Sequence, residues 1–293
     1  MTAAISLMVP AIPATIGDRL REYVLRQLDQ ADRALLRRGT GRHDGVRVAR
    51  KTLRRIRAVL DLGPRRLASD GTSAYAITGM LCRRLSRLRD AHAAVETLDD
   101  LMKTCDKTTP QAPLRRIRLY LCRQQGLLLR ETLVRDPGLA RYRQQLRRLR
   151  EIVEALPWSG ISRRNLQRAL ERSERRVGRM AGATLGSARH RWRRRLRRLR
   201  LQMMIVASEL SAPCFEGGDE ANSKLVRAQE FLAELRLSVD TLKSKSDALG
   251  FERDLCVLRG KLRNKTDIMA SDRTKLLRLV RDNLAHLSRQ AKA

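Results

Sequence analysis

Two segments of the chain carry cations at the spacing of one helix face. RVARKTLRRIRAVL (47–60) and HRWRRRLRRLRLQM (190–203) align at a constant offset of 143, pairing Arg47 with His190, Arg50 with Arg193, Lys51 with Arg194 and Arg54 with Arg197. In both, the basic side chains fall at i, i+3, i+4 and i+7, the repeat of an α-helix. The chemistry available to such a row is anion binding. A planar guanidinium fork matches two phosphate oxygens at once, where an ammonium offers a point charge. Two such rows, which also include Arg57 and Arg198, are candidates to clamp one long polyanion between them.

Each stripe has an apolar back: Ala49, Leu53, Ile56 and Leu60 in the first copy, Trp192, Leu196, Leu199 and Met203 in the second. Each helix can therefore bury one side and display the other. A solvated charged face ordinarily mixes signs, but no acid lies between Val46 and Leu60 or between Arg189 and Ser208. Cations three and four residues apart repel by about a few tenths of a kcal/mol per pair, so an uncompensated row implies an anion that relieves it.

Composition agrees. The 293 residues include 63 Lys and Arg, 53 of them Arg, against 31 Asp and Glu, a formal charge of +32. Self-repulsion of that size strains a compact fold unless anions are bound. Aromatic residues are only 3 % of the chain, too few for the stacking platforms of single-strand nucleic-acid binders. Apolar residues in helical periodicity reach 42 %, which argues against disorder. Cys82, Cys105, Cys122, Cys214 and Cys256 form no C-x-x-C pair and read as small buried hydrophobes, not as a zinc site or a disulfide framework. The apolar start, MTAAISLMVPAIPATIG, lacks a basic beginning and is broken by Pro10 and Pro13. It reads as neither a signal peptide nor a membrane span, and a cytoplasmic protein is the expectation.

The elements that must position the stripes are helices. The 3.6-residue apolar period predicts helices near 17–38, 44–61, 73–90, 92–105, 111–134, 138–156, 163–180, 187–210, 222–248, 250–264 and 270–290, within about 2–4 residues at each end. No run alternates long enough for a strand, so the fold class is all-α. A second paired motif supports duplication: LSRLRDAHAAV (85–95) resembles LGFERDLCVL (249–258), with Arg89-Asp90 answering Arg253-Asp254. The expected organisation is an N-terminal tail (1–16) and two related helical bundles (17–157 and 158–293) about a pseudo-twofold axis.

Chemistry other than binding has little support in the residues. No P-loop, dinucleotide fingerprint, nucleophile elbow or H-E-x-x-H motif is present. A carboxylate among so many guanidinium groups is a poor general base, so Asp90 and Asp254 read as partners that hold stripe arginines. Glu96, Asp99 and Asp100 form a small acidic cluster, the one place where a metal-dependent hydrolase could find ligands. His190 alone lies on a stripe, and His43, one turn before Arg47, caps or extends the other. Further basic rows at Arg172, Arg175, Arg176 and Arg179 and over 141–150 either widen an anion surface or are simply exterior.

Taken in order, several segments resemble the CHAD domain, a family of α-helical proteins named for their recurring histidines. They are ARKTLRRIRAVL (49–60), RRLSRLRDAHAAVETLD (83–99), ALERSERRVGRM (169–180), HRWRRRLRRLRLQ (190–202) and ALGFERDLCVLRGKL (248–262). The resemblance covers roughly 17–265. It implies two four-helix bundles around a basic central cavity that binds inorganic polyphosphate without a cofactor. Carried over by position, the binding residues are Arg47, Arg50, Lys51, Arg54, His190, Arg193, Arg194, Arg197 and Arg253, joined by Arg57, Arg89 and Arg198. Arg47 and Arg253 stand where the family places histidines, which keeps the charge and makes it permanent. A non-enzymatic polyphosphate-binding protein is therefore expected, with possible association with storage granules. Non-specific nucleic-acid binding is the alternative, and a metal-dependent polyphosphate or triphosphate hydrolase ranks third.

Overall fold

The computed structural model describes residues 15–63, 71–105, 110–180, 186–210, 219–263 and 268–290, and no strand occurs among them. Among the described residues ten α-helices follow in order: α1 (Ile16–Leu35), α2 (Gly41–Leu60), α3 (Thr72–Arg84), α4 (Ser86–Thr104), α5 (Gln111–Arg135), α6 (Ala140–Ala155), α7 (Arg163–Gly178), α8 (Gly186–Leu210), α9 (Asp219–Leu262) and α10 (Ala270–Gln290). Among the described residues no helix is long and apolar enough to cross a membrane. The expected all-α class is what the chain adopts.

Local chemistry sets several boundaries. Thr15 caps α1 by accepting from the Asp18 amide at 3.1 Å while the Asp18 carboxylate accepts from the Thr15 amide at 3.2 Å, a reciprocal pair that satisfies two otherwise orphaned donors. The Ser162 hydroxyl caps α7 in one direction, accepting from the Asn165 amide at 3.3 Å. Between α5 and α6 the chain turns through Gly138 and Leu139, both left-handed (φ 62° and 57°). The Leu139 side chain is fully buried, and that burial holds a conformation β-carbons disfavour.

Two helix boundaries differ from the sequence expectation. The break expected near residue 91 falls at Leu85. There the Cys82 carbonyl, which would accept from the next turn's backbone, is taken by the Ser86 hydroxyl at 2.8 Å and by the Arg50 guanidinium, so side chains inserted into the ladder end α3. The break expected at residue 249, beside Gly250, is absent, and α9 runs unbroken over 44 residues. A helical glycine costs about 1 kcal/mol relative to alanine but does not by itself end a helix.

Packing forms two apolar clusters, and they do not divide the chain at residue 157. The larger joins α1, α2, α3, α6, α7 and α8 around Leu20, Val24, Leu53, Ile56, Leu149, Leu166 and Leu199. The smaller joins α4, α5, α9 and α10 around Leu98, Leu101, Ile117, Leu255, Leu258 and Val280. Each cluster draws helices from both sides of 157. The basic faces of α2 and α8 lean away from the larger cluster and the charged Arg-Asp segments of α4 and α9 away from the smaller, so the charge collects at the seam.

α1 and α2 approach closely. A β-carbon added at Gly45 would stand 2.2 Å from the Ala34 carbonyl oxygen, a contact only glycine permits. Gly45→Ala should lower stability by about 1–3 kcal/mol through overpacking, read as a fall in Tm. Gly126→Ala in α5, where an added methyl meets nothing within 4 Å, should leave Tm unchanged or raise it.

Candidate anion-binding cavity

The seam encloses a cavity of 310 Å³ lined by α2 (Arg50, Arg54, Arg57), α3 (Gly79, Cys82, Arg83), α4 (Ser86, Arg89, Asp90), α8 (His190, Arg193, Arg194, Arg197, Arg198, Leu201) and α9 (Arg253). The two stripes thus face each other, with the Arg-Asp segments closing the gap between them. Ten lining residues are arginines and one is a carboxylate, Asp90.

The walls are held by contacts that spare the cavity's charge. Arg50 donates to the Ser86 hydroxyl at 2.6 Å and to the Cys82 carbonyl. Arg54 Nε donates to the Arg50 carbonyl at 3.2 Å. The Arg57 guanidinium lies over the Tyr75 ring at 4.3 Å, and Arg198 reaches the same ring at 5.8 Å, cation–π contacts that tie one stripe to the other. Arg198 also meets Asp61 at 3.3 Å. Arg89 makes a bidentate pair with Asp254 at 3.0 and 3.1 Å and a further bond to Asp90 at 3.2 Å. Asp254 was expected to hold a stripe arginine; instead it holds Arg89 of the other Arg-Asp segment, 165 residues away.

Among the described residues Arg50, Arg54, Arg57, Arg193, Arg194, Arg197 and Arg253 form no ion pair within 4 Å, with Asp90 near Arg50 and Asp254 and Asp247 near Arg193 offsetting part of their charge. Burial, and next the charge of Arg50, pulls Arg54 down to about 10. Burial and then the charge of Arg54 pulls Arg197 down to about 9. Burial also lowers Arg50 and Arg193. A guanidinium does not give up its proton in a protein, so these displacements register unfavourable stored charge. Burial lowers His190, followed by the charges of Arg194, Arg253, Arg193 and Arg197. The Nε atoms of Arg50, Arg57 and Arg193 and Nδ1 of His190 are buried without a hydrogen-bond partner, an arrangement that costs free energy until an acceptor arrives.

Two expected site residues lie off the cavity. Arg47 is exposed and bonded to Asp44 one turn earlier, at 2.6 and 3.0 Å; Asp44 also pairs with Arg37. Lys51 is exposed, on the flank of α2. Nor do the two stripes present equivalent faces. Arg194 and Arg198 line the cavity while Lys51 and Arg55, 143 positions earlier, do not; Arg57 lines it and Arg200 does not. Arg55 is instead bonded to Gln27 at 3.2 Å. His43 does not line the cavity either. It stacks on His92 with ring centroids 5.2 Å apart and planes 5° from parallel, and burial, then the His92 charge, lowers its pKa.

Residues the stripe pattern missed include Arg83, Ser86 and the two glycines beneath the arginines. A β-carbon at Gly250 would stand 3.1 Å from Arg193 Nη2, and one at Gly79 would stand 3.6 Å from the Arg57 guanidinium carbon. The signal for both was present as glycines inside helical periodicity, which mark a close approach.

The acidic cluster is separate. Glu96, Asp99, Asp100 and Asp254 line a 370 Å³ pocket with Lys103 and Phe251. Asp99 binds Arg118 at 2.5 Å, Asp100 binds Lys103 at 3.0 Å, and Glu96 lies 3.4 Å from His92. The Arg89–Asp254 pair is the partition between this pocket and the basic cavity. Among the described residues no three His, Cys, Asp or Glu side chains converge as metal ligands. Cys82, Cys105, Cys122 and Cys256 form no disulfide among the described residues and are half-buried, short of the full burial expected, and Cys214 lies outside the described residues.

The CHAD domain family matches residues 20–263 of the chain. Among solved structures, PptA from Streptomyces chartreusis is similar, with a TM-score of 0.61 and 17 % identity over 94 % of this chain and 96 % of that one. At that identity the likeness is one of fold. No curated protein matches in sequence.

The partition yields a prediction. Asp254→Asn breaks a half-buried charge-assisted pair and should cost about 1–3 kcal/mol, lowering Tm. Because it adds net positive charge beside the cavity, the rise in Tm on adding a polyanion should be larger in the variant than in the parent chain.

Proposed function

The chain belongs to the CHAD domain family, and from that premise we propose that it binds inorganic polyphosphate in the seam cavity without processing it. The observation that carries this reading is the set of guanidinium groups, Arg193 buried and Arg50, Arg54, Arg57 and Arg197 partly buried, that form no ion pair and are directed into one cavity from two facing helices. A flexible phosphate chain supplies what each of them lacks. It brings acceptors to the orphaned Nε groups and negative charge to a place where like charges are crowded in reduced dielectric. A duplex nucleic acid does not fit a space of 310 Å³. Asp90, the single carboxylate on the wall, is bonded to Arg89, which supports a grip over a general base. Binding of this kind also fits a cytoplasmic protein that associates with polyphosphate-bearing storage granules.

The reading is tested by titrating the full chain with long-chain polyphosphate, duplex DNA and single-stranded RNA at several salt concentrations. Polyphosphate affinity should exceed the others and fall with salt, since each neutralised phosphate releases a counterion. Reversing both walls with Arg50→Glu and Arg193→Glu should weaken polyphosphate binding by about 100-fold or more, more than 2.7 kcal/mol. Equal affinity for all three polymers, or no loss on charge reversal, overturns it.

His190 adds a pH dependence with a definite sign. In the free chain burial and the neighbouring arginines lower its pKa, so protonation opposes folding as pH falls through that lowered value. A bound phosphate favours the charged imidazole, raising the pKa in the complex, so binding takes up a proton in the window between the two values. Polyphosphate affinity should therefore rise as pH falls from about 8 toward about 6, the range in which an imidazole titrates. His190→Ala should flatten that part of the profile, measured by titration calorimetry in buffers of different ionisation enthalpy.

A further inference from the structure

The outer face of α7 does not line the cavity, yet it carries a third row of arginines. At 3.6 residues per turn, Arg164, Arg168, Arg172, Arg175, Arg176 and Arg179 fall within about 120° of helix circumference and extend about 22 Å along the axis. All but Arg163 among the helix's arginines are exposed. Leu166, Ala169, Leu170 and Ser173 are buried on the opposite side, toward α8. The two acids, Glu171 and Glu174, lie beyond the Arg164 edge, and the ion pair to this arc from within the helix is Arg175–Glu171 at 3.8 Å. Arginines at i, i+3 and i+4 repel one another and Glu171 offsets only the Arg168–Arg175 edge, so the rest of the arc is tolerated at a cost that an anion lying along it would remove.

The arc begins where the cavity ends. Its innermost member, Arg176, lies 3.9 Å from Asp61, the same carboxylate that Arg198 of the cavity wall contacts at 3.3 Å. The Arg176 carbonyl accepts from Arg195 of α8 at 3.1 Å, which fixes the arc against the helix that carries the second stripe. Asp61 is thereby neutralised from both sides, and the arginines of wall and outer face are continuous around it. A flexible chain leaving the cavity past Arg198 meets Arg176 next and then the exposed arc. A stiff duplex could reach the arc but not the cavity.

We propose that the outer face of α7 is a second, external footprint for the polyphosphate chain whose first stretch occupies the cavity, so that affinity grows with chain length. This inference rests on the polyphosphate reading of the cavity. Short oligophosphates use the cavity alone; long chains use both surfaces, and the second contact is intramolecular once the first is made.

The test uses the full chain with Arg168→Gln, Arg172→Gln and Arg179→Gln combined. All three positions are exposed, glutamine favours helix, and an unchanged helical circular-dichroism signal and Tm establish folding. Tripolyphosphate, long-chain polyphosphate and duplex DNA are titrated into the variant and the parent chain. Expected is an unchanged tripolyphosphate affinity, a long-chain affinity reduced by about tenfold, and a salt slope shallower by about 2, at roughly 0.7 for each lost contact to a flexible strand. Long-chain affinity within about twofold of the parent, a difference below about 0.5 kcal/mol, overturns the proposal. So does a selective loss of duplex binding, which would assign the arc to nucleic acid, and so does an equal loss for tripolyphosphate, which would mean the substitutions act through the cavity. Failure of the cavity reading looks different: tripolyphosphate then fails to bind the parent chain, or binds it regardless of Arg50→Glu and Arg193→Glu.

Discussion

The structure turns on one constraint: arginines of like charge must be carried at the seam between two apolar clusters, where water is limited and no matching set of acids exists. An arginine has no neutral form to retreat to, and an isolated buried charge is costly. The chain meets the constraint with dipoles and π-systems instead of carboxylates. The Cys82 carbonyl and Ser86 hydroxyl hold Arg50, the Arg50 carbonyl holds Arg54, and Tyr75 holds Arg57. These contacts orient the guanidinium groups without neutralising them. The residual field is what an anion experiences.

The acids are used elsewhere, as clips between helices. Arg116 and Asp272 join α5 to α10 at 2.7 and 2.9 Å, with the Asp272 side chain nearly enclosed. Arg143 and Asp32 join α6 to α1 at 2.8 and 3.1 Å. Arg89 and Asp254 join α4 to α9. Two of these clips cross from one side of residue 157 to the other. The smaller cluster likewise takes α4 and α5 from one side and α9 and α10 from the other. The cavity is therefore a product of how the two sides interpenetrate, and neither side alone would enclose it.

Much of this was legible in the residues. The apolar period located the helices, and a row of cations opposite a row of leucines said which side of α2 and α8 would be buried. The facing of Arg50, Arg54 and Arg57 toward Arg193, Arg194 and Arg197 follows from that pattern once the helices are opposed. What the pattern could not carry was helix rotation. Arg47 and Lys51 share the i, i+3, i+4 spacing with Arg50, but the cavity face of α2 is narrow and that of α8 is broad, so Lys51 turns outward and Arg194 inward. Arg47 was further obscured by Asp44, an acid one turn outside the stripe. The break at Leu85 was hidden for a related reason: it depends on Arg50, 35 residues earlier in the chain, competing for a backbone carbonyl.

The sequence by itself determined the all-α class, the two amphipathic basic helices and the large excess of positive charge, because periodicity and net charge are local or additive properties that do not depend on which helices meet. Tertiary structure decided that the stripes oppose each other across 310 Å³, that Arg89 is gripped by Asp254, and that the α7 arginines begin where the cavity wall ends at Asp61. Those are matters of relative rotation and of contacts between residues far apart in the chain. They arise only when two apolar clusters, each built from both sides of the sequence, exclude the same charged faces toward a shared seam.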